Sequence, residues 1–309
     1  MKTTSIKQYL ESSFLRPLLS QEDITDVSFN GTHIFYQSSR WGRKLSDLII
    51  EEKSIYDMMM QLANLSDQHF THTQPVLDLA VEGYRIHAVG PSISRYGFQK
   101  VTTFSLRISR TRQLKNHYPP SLLACVDELI KLRQSILIFG ETGSGKTEFQ
   151  KAILTSFPLH ARVVVVDNVL ELDGLISQKK LDMNVWQAQP HVSVSALIES
   201  ALRSNPDWLI LAEARGKEMM DVLNASLTGH PVITTLHARD IETLLPRITR
   251  MVMMNGNHIG YQETLEDIER AFPFSIHVVK GMNEDGSIAR SIQGVYERKN
   301  KQWIQRYGT

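Results

Sequence analysis

The sequence has very little cysteine: Cys125 is the single one among 309 residues. One cysteine can form neither an intramolecular disulfide nor a zinc site built from several thiolates, which fits a reducing cytosol. No run approaches the ~18 apolar residues that a membrane-spanning helix needs, and residues 1–30 lack the apolar segment of a signal peptide. We therefore expect a soluble cytoplasmic protein.

The chain also lacks an excess of charge of either sign. The 34 Lys and Arg residues and the 33 Asp and Glu residues give a formal net charge of +1. That balance provides no overall field that would gather nucleic acid or acidic lipid, so we expect no nucleic-acid partner, while local patches stay possible. With 42% hydrophobic residues the chain can bury a sizeable core, and its length favours two domains.

What the sequence does contain is a glycine-rich loop that is typical of phosphate binding. The loop fits the pattern G-x-x-x-x-G-K-[ST] with the residues Gly140, Glu141, Thr142, Gly143, Ser144, Gly145, Lys146 and Thr147. The apolar run 135–139 before it lacks polar alternation, as expected of a strand that is buried on both faces of a parallel sheet. Apolar residues recur at helical spacing after it. Strand, loop and helix together predict a nucleoside triphosphate site.

Each residue type in this loop has a chemical reason. Glycines allow backbone N–H groups to converge on a triphosphate without Cβ clashes, and the helix N-terminus adds the positive end of its dipole. Lys146 is predicted to reach the β- and γ-phosphates, and the hydroxyl of Thr147 to ligate the Mg²⁺ that bridges them. We therefore expect ATP and Mg²⁺ as cofactors.

Acidic residues follow two further predicted strands. The run 162–166 leads into Asp167, with Glu171 four residues later, and the run 208–211 leads to Glu213. A carboxylate at the end of a parallel strand beside the loop can hold Mg²⁺ through water or accept a proton from an attacking water. Acids at such positions also cap the next helix. At least one of these acids is predicted to act on the nucleotide.

Two histidines, His230 and His237, flank another short predicted strand. Most histidines near strands are simply packed and hydrogen-bonded, and the residues alone favour that interpretation.

The chain is predicted to divide at a polar segment that ends in two prolines and breaks both helical and strand patterns. We place the linker at about 109–120, with domains at 1–112 and 113–309. The first domain is predicted to be a small α+β unit with a tight hairpin turn at Asn30-Gly31. The second alternates helices and strands, which indicates an α/β fold with a mostly parallel sheet. It is predicted to end in an appended hairpin of residues 274–280 and 291–297.

The succession of motifs is far more specific than any one of them. The phosphate loop is followed, in order, by the segments 167–171, 202–207, 212–216, 228–230 and 235–238. This order resembles the Walker A loop, Asp box, Walker B segment and His box of the traffic ATPases of type II and type IV secretion, conjugation and type IV pilus machines. The resemblance covers most of residues 75–300.

That resemblance implies a recombinase-like P-loop ATPase domain with a mostly parallel sheet behind a small α+β N-terminal domain. It implies a homo-hexameric ring with nucleotide between the domains, inner-membrane secretion or pilus platform proteins as partners, and peripheral association with the membrane through them. It also makes Glu171 the general base, makes Glu213 the acid on the Mg²⁺ side, and places His230 and His237 in the nucleotide pocket. The missing four-cysteine metal module argues against the type II branch.

Members of the family also direct arginines of the N-terminal domain toward the γ-phosphate. Arg85 and Arg107 alternate with apolar neighbours, so both leave the apolar faces of their strands, and without the resemblance each would be interpreted as facing solvent. The segment Gly83-Tyr84-Arg85 resembles the family's Gly-x-Arg, which favours Arg85 over Arg107 and Arg95.

The chain departs from the family pattern at two positions. Asn168 replaces the usual acid of the Asp box, and Ala212 replaces the usual glycine before Glu213. Glu171 and Glu213 are unchanged.

We predict a hexameric cytoplasmic ATPase that hydrolyses ATP with Mg²⁺ and works on a membrane-embedded secretion, conjugation or pilus complex. One alternative is a P-loop kinase for a small molecule or nucleotide, which would need an acceptor pocket and leaves the first hundred residues unexplained. Another is a nucleotide-gated adaptor with negligible turnover, for which the altered Asp box is the hint. A DNA-translocating motor is weaker, because no basic stripe is interleaved with aromatics.

Overall fold

A computed structural model describes residues 2–81, 83–109, 117–168, 172, 181–189, 191–254, 256 and 260–308. The chain forms two compact units, Met1–Arg110 with Met282–Ala289, and Thr111–Gly281 with Arg290–Thr309. The predicted linker at about 109–120 lies partly outside the described residues, so the boundary at residue 112 stays a proposal.

The first unit is built on a six-stranded antiparallel sheet. Its elements are α1 (Lys2–Ser12), α2 (Arg16–Leu19), β1 (Ile24–Phe29), β2 (Ile34–Ser38), β3 (Gly42–Leu45), α3 (Glu52–Leu65), β4 (Val76–Val81), β5 (Tyr84–Val89), β6 (Arg95–Tyr96), β7 (Gln99–Lys100) and β8 (Thr103–Ile108). The strand order is β3-β2-β1-β8-β5-β4, while β6 and β7 form a separate hairpin. Alternate residues of β4 and β8 are buried, which is the period of a strand with one face in water.

The hairpin predicted at Asn30-Gly31 is present, but its turn is centred one residue later, on Gly31 and Thr32. β1 and β2 pair up to Phe29 and Ile34, and the N–H of Asn30 donates to the backbone oxygen of His33 at 3.2 Å. Gly31 has a φ of +103°, whereas Asn30 keeps a negative φ. The side-chain oxygen of Asn30 instead accepts hydrogen bonds from the N–H groups of Thr32 and His33, at 3.0 and 2.8 Å. An asparagine side chain, rather than two residues of positive φ, therefore closes this turn.

The second unit is centred on an eight-stranded sheet. Its elements are α4 (Pro120–Lys131), β9 (Ile136–Gly140), α5 (Lys146–Leu154), β10 (Arg162–Val166), β11 (Asp182–Trp186), α6 (Val194–Leu202), β12 (Trp208–Leu211), α7 (Met219–Leu227), β13 (Val232–His237), α8 (Ile241–Met253), α9 (Tyr261–Ala271), β14 (Phe274–Met282), β15 (Ile288–Lys299) and β16 (Gln302–Gly308). The order β11-β10-β12-β13-β9-β14-β15-β16 is parallel from β11 to β14. The predicted α/β fold with a mostly parallel sheet is confirmed. Nowhere in the described ranges is a helix long and apolar enough to cross a bilayer.

The strand before the phosphate loop is buried on both faces. Ile136 and Ile138 belong to one apolar cluster of the second unit, and Leu137 and Phe139 belong to another. All four side chains are fully buried, and each such burial contributes about 1.5–3 kcal/mol. The absence of polar alternation in this run is therefore a direct consequence of helices packing on both sides of the sheet.

The predicted C-terminal hairpin is not an appendage. β14 lies parallel to β9, with Phe274 opposite Ile136 and His277 opposite Phe139. β15 and β16 continue the same sheet. The C-terminal strands therefore extend the central sheet next to the phosphate loop, and Lys280 lies at the same edge as that loop.

Candidate nucleotide-binding site

The phosphate loop leaves β9 at the edge where parallel strands end, which is where ligands bind to such sheets. Gly140, Gly143 and Gly145 have φ values of +155°, +74° and +99°. A Cβ at Gly140 would also overlap the backbone oxygen of Val278. α5 begins at Lys146, so the unpaired N–H groups and the positive dipole end of its first turn face the loop.

Lys146 is buried inside this loop, with only 6% of its surface exposed. Its Nζ donates to the backbone oxygens of Gly140 and Glu141, at 3.0 and 2.9 Å, and lies 3.1 Å from Nδ1 of His237. Burial lowers the pKa of Lys146 to about 8; the charge of Glu213 opposes this shift and that of Lys280 adds to it. A bound phosphate would offer Lys146 negatively charged oxygens in place of these neutral carbonyl oxygens.

A line of polar contacts continues from Lys146 to the end of β12. Nε2 of His237 is 3.0 Å from Oε1 of Glu213, and Arg215 donates to Oε2 of Glu213 at 2.7 Å. β12 and β13 are adjacent parallel strands, and the hydroxyl of Thr235 donates to the backbone oxygen of residue 212 at 2.7 Å. The structure thus brings together three predicted site residues, Lys146, His237 and Glu213.

The pKa values of His237 and Glu213 are both lowered, but for different reasons. Burial lowers the pKa of His237, the charge of Lys146 lowers it further, and Glu213 opposes both. Burial alone would raise the pKa of Glu213, but the hydrogen bond and charge of Arg215, with His237 and Lys146, outweigh it and lower that pKa. A neutral His237 with its proton on Nε2 satisfies both contacts, since Nδ1 then accepts from Lys146 and Nε2–H donates to Glu213.

The loop also holds a polar group that is ready for a ligand. Ser144 is fully buried, and its hydroxyl has no hydrogen-bond partner among the described residues. Buried hydroxyls are normally paired, so an unpaired one in a glycine cradle fits a phosphate. Thr147 is half-buried in the first turn of α5.

The described residues contain no cluster of three or more His, Cys, Asp or Glu side chains that could cage a metal ion. Mg²⁺ does not require such a cage, because it usually binds one or two protein oxygens together with phosphates and water. Thr147 and Glu213 carry oxygen atoms of the kind that Mg²⁺ binds.

Two cations that no sequence motif indicated also contact the loop. Lys280 of β14 donates to the backbone oxygen of Thr142, and Arg290 of β15 donates to that of Gly143, both at 3.0 Å. The parallel pairing of β14 with β9 brings Lys280 to this edge. An alignment of the run 274–280 with the run 136–140 as neighbouring parallel strands would have found it.

The two predicted histidines lie at opposite ends of β13. His237 is level with Gly140 at the carboxyl end. His230 precedes the strand, and its Nδ1 lies 3.3 Å from the hydroxyl of Thr228. At about 3.3 Å per residue the two histidines are roughly 20 Å apart along the strand. Within one chain the structure therefore does not bring His230 to the phosphate loop.

The acid predicted as general base, Glu171, lies outside the described residues. Its neighbour Asp167 is buried, and one of its oxygens accepts from the N–H of Leu172 at 2.8 Å. Asn168 accepts from the N–H of Ala188 at 3.1 Å. Asn168 stands where the family usually has an acid, and its side-chain amide thus fixes the segment that follows β11.

Both predicted arginines belong to the first unit, where they are neighbours on the sheet. Arg85 of β5 is directly opposite Arg107 of β8. Arg85 lies 3.4 Å from a carboxylate oxygen of Asp78, and Arg107 lies 3.2 Å from one of Asp26. Their side chains are 38% and 54% exposed. Two like charges are therefore held side by side, each beside an exposed acid.

The buried strand, the glycine loop and the lysine at the start of α5 define a P-loop nucleotide-binding domain. The sequence profile of the family described as Type II/IV secretion system protein matches residues 106–296. The chain belongs to this family.

Three known proteins are similar to the chain. An uncharacterized protein of Bacillus anthracis is 32% identical over 273 residues, which cover 85% of this chain but only 60% of that relative. The type IV secretion system protein VirB11 of Brucella suis is 26% identical over 323 aligned positions, covering 92% of this chain and 88% of that protein. The X-ray structure of the Legionella pneumophila ATPase DotB superimposes with a TM-score of 0.69 at 18% identity, over 97% of this chain and 82% of that one. At this identity the DotB structure supports the fold.

Proposed function

We propose that this ATPase uses Mg²⁺-dependent ATP hydrolysis to drive a type IV secretion, conjugation or type IV pilus machine. The observation that carries the proposal is the continuous line of contacts from Lys146 through His237 to Glu213, at the edge where the glycine loop can receive phosphates. The similarity to a protein named for the type IV secretion system supports the choice of machine.

Within this proposal the loop residues 140–147 bind the triphosphate. Thr147 and Glu213 would hold Mg²⁺, which would neutralise charge on the phosphates. The two oxygens of Glu213 are engaged by Arg215 and His237, and each keeps a second lone pair that could accept from a metal-bound water. His237, which already contacts Lys146, is proposed to contact the γ-phosphate.

The remaining roles come from the family resemblance. Glu171 is proposed as the general base for the attacking water, Arg85 as the group that stabilises charge on the γ-phosphate, and Arg107 as an additional phosphate contact. His230 is retained as a nucleotide-pocket residue, although no contact within one chain supports it.

The assembly is proposed to be a homo-hexameric ring. It would act in the cytoplasm, at the inner face of the membrane, through platform proteins of the secretion or pilus machine. The support is family membership, and identical subunits that meet head to tail can close into such a ring.

ATP turnover by the purified protein, with native mass measured with and without nucleotide, tests the proposal. Mg²⁺-dependent turnover in a ring-sized species is the expected result, and Lys146→Ala removes it mainly by weakening nucleotide binding. Lys131→Ala is the matched control, because Lys131 is an exposed lysine on α4. A protein that binds no ATP at millimolar concentration contradicts the proposal. A monomer that turns over ATP only with an added acceptor indicates a kinase, and tight binding without turnover indicates an adaptor.

A further inference from the structure

A short hairpin in the first unit carries aromatic side chains into water. β6 and β7 form it, with Arg95 opposite Lys100 and Tyr96 opposite Gln99. Phe98, in the turn, is 102% exposed, and Tyr96 is 47% exposed. Ile93, at the base, is 61% exposed. A cluster of large apolar side chains on one projection, unlike scattered single ones, indicates a contact surface.

The hairpin is fixed at its base. Val101 and Thr102 are buried. Glu52 of α3 accepts hydrogen bonds from both the N–H and the hydroxyl of Thr102, at 2.7 and 2.5 Å. The N–H of Val101 donates to the backbone oxygen of Ser94 at 3.2 Å. Phe98 is therefore presented at the tip of an anchored arm.

The charge of the hairpin itself has a single sign. Its charged residues are Arg95 and Lys100, and residues 93–100 contain no acid. Arg85 and Arg107 have acidic partners, whereas Arg95 and Lys100 form no ion pair with the described residues. The acid at the base, Glu52, already accepts the hydrogen bonds of Thr102.

We propose that this hairpin, residues 93–100, docks on an anionic phospholipid surface. Phe98 and Tyr96 enter the boundary between headgroups and acyl chains, while Arg95 and Lys100 stay at the phosphates. A narrow convex tip with a cation on each strand suits a lipid boundary. A stable protein interface needs a matching surface of about 800 Å² on each partner, whereas aromatic side chains can enter the headgroup boundary without a matching surface. This contact is separate from ATP hydrolysis and does not depend on it.

Binding by a single hairpin is expected to be weak and sensitive to salt. Each cation near an anionic surface strengthens binding about fivefold, and salt screens that contribution. Several hairpins on one oligomer would act together, so the oligomer binds far more tightly than one chain.

Sedimentation of the full chain with lipid vesicles tests the proposal. Wild type is expected to bind vesicles of phosphatidylcholine with phosphatidylglycerol, and to bind pure phosphatidylcholine much less. Phe98→Ser lowers binding to the anionic vesicles about tenfold, because it removes the inserting ring. Arg95→Gln with Lys100→Gln lowers it about 25-fold. ATP turnover stays at the wild-type rate in Phe98→Ser.

The controls use exposed apolar and basic positions elsewhere in the chain. Leu159→Ser removes an exposed apolar side chain that is 61% accessible, and Lys131→Gln with Lys299→Gln removes two exposed cations. Both controls bind as wild type. A dye on Gln99→Cys, in a chain whose single cysteine is replaced by Cys125→Ser, reports a less polar environment with the anionic vesicles. Equal binding of wild type to neutral and anionic vesicles, or unchanged binding of both hairpin variants, overturns the proposal.

Discussion

The cations of the two units are held in opposite ways. Lys146 in the second unit is 6% exposed and is fixed by two backbone oxygens and a histidine. Arg85 and Arg107 in the first unit are 38% and 54% exposed, and each lies beside one exposed acid. Exposed pairs of this kind contribute about 0–1 kcal/mol, so little energy opposes a change of partner. The buried lysine is a fixed part of its site, whereas Arg85 lies in an exposed ion pair that costs little energy to break.

The strongest test of this contrast is Arg85→Ala. If Arg85 moves to the γ-phosphate, its loss lowers ATP turnover by ~10³–10⁵, the range for an arginine that stabilises transition-state charge. ATP binding weakens as well. ADP affinity is nearly unchanged because ADP has no γ-phosphate. Turnover assays and titrations with both nucleotides measure this directly.

Arg16→Ala is the matched control for Arg85, because it removes an exposed arginine on α2. It should change none of these quantities. Wild-type turnover of Arg85→Ala, or equal loss of ADP and ATP affinity, would remove Arg85 from the site. A lower melting temperature of the nucleotide-free variant would show a role in folding.

The next largest effect concerns the two acids. Glu171→Gln is expected to keep ATP binding and to lose turnover by about 10²–10⁴, the range for a positioned general base. Glu213→Gln should instead make turnover more dependent on Mg²⁺ concentration. Turnover at varied Mg²⁺ compares the two variants. Normal turnover in Glu171→Gln, together with trapped ATP in Glu213→Gln, would show that the two roles are exchanged.

A smaller effect follows from the pKa of Lys146, which burial lowers from 10.5 to about 8. As the pH rises above 8, the nucleotide-free protein loses this charge, and ATP then binds only with uptake of a proton. We expect kcat/KM for ATP to fall about tenfold per pH unit above pH 8. The affinity for ATP should fall with pH for the same reason. Lys146→Arg, which keeps its charge, should not show this decline. A flat wild-type profile up to pH 9 would contradict the assignment.

The same pKa has the opposite effect on stability. Because the folded-state pKa is below the ordinary value of 10.5, burying the charged lysine destabilises the empty protein below pH 8, and that penalty disappears as the pH rises toward 10.5. The free energy of unfolding of wild type, relative to Lys146→Met, should therefore increase over this interval. Chemical denaturation of the two proteins at several pH values measures the difference.

The smallest expected effect is that of Asp78→Asn, which removes the acidic partner of Arg85. The pair is exposed, so the free energy of unfolding should change by less than about 1 kcal/mol. ATP affinity should be unchanged or slightly higher, since Arg85 no longer has a competing anion. A loss of several kcal/mol would show that Arg85 is as firmly fixed as Lys146 and would end the contrast between the two units.

The central strands and the phosphate loop could be predicted because their sequence is dictated locally. A strand buried on both faces needs an uninterrupted apolar run, and a turn that receives phosphates needs glycines. The predicted run 135–139 accordingly corresponds to β9, and the predicted runs 162–166 and 208–211 match β10 and β12.

Pairing partners in the sheet could not be predicted in the same way. The run that became β14 has the same local pattern whether it forms a separate hairpin or joins β9 in parallel. The choice depends on distant residues, and it decides that Lys280 touches the loop. The location of His230 depends likewise on which end of β13 adjoins the loop, since flanking a strand does not indicate a shared edge.

Residues 282–289 belong to the first unit, although the strands on either side belong largely to the second. The N–H of Ile288 donates to the backbone oxygen of Arg40 at 2.7 Å, and its side chain lies next to Gly42. A gene fragment that stops at codon 110 therefore encodes an N-terminal piece that is missing one of its own segments. A phenotype of that fragment could therefore come from the missing second unit or from the missing segment 282–289 of the first unit. Adding a synthetic peptide of residues 282–289 distinguishes these two causes.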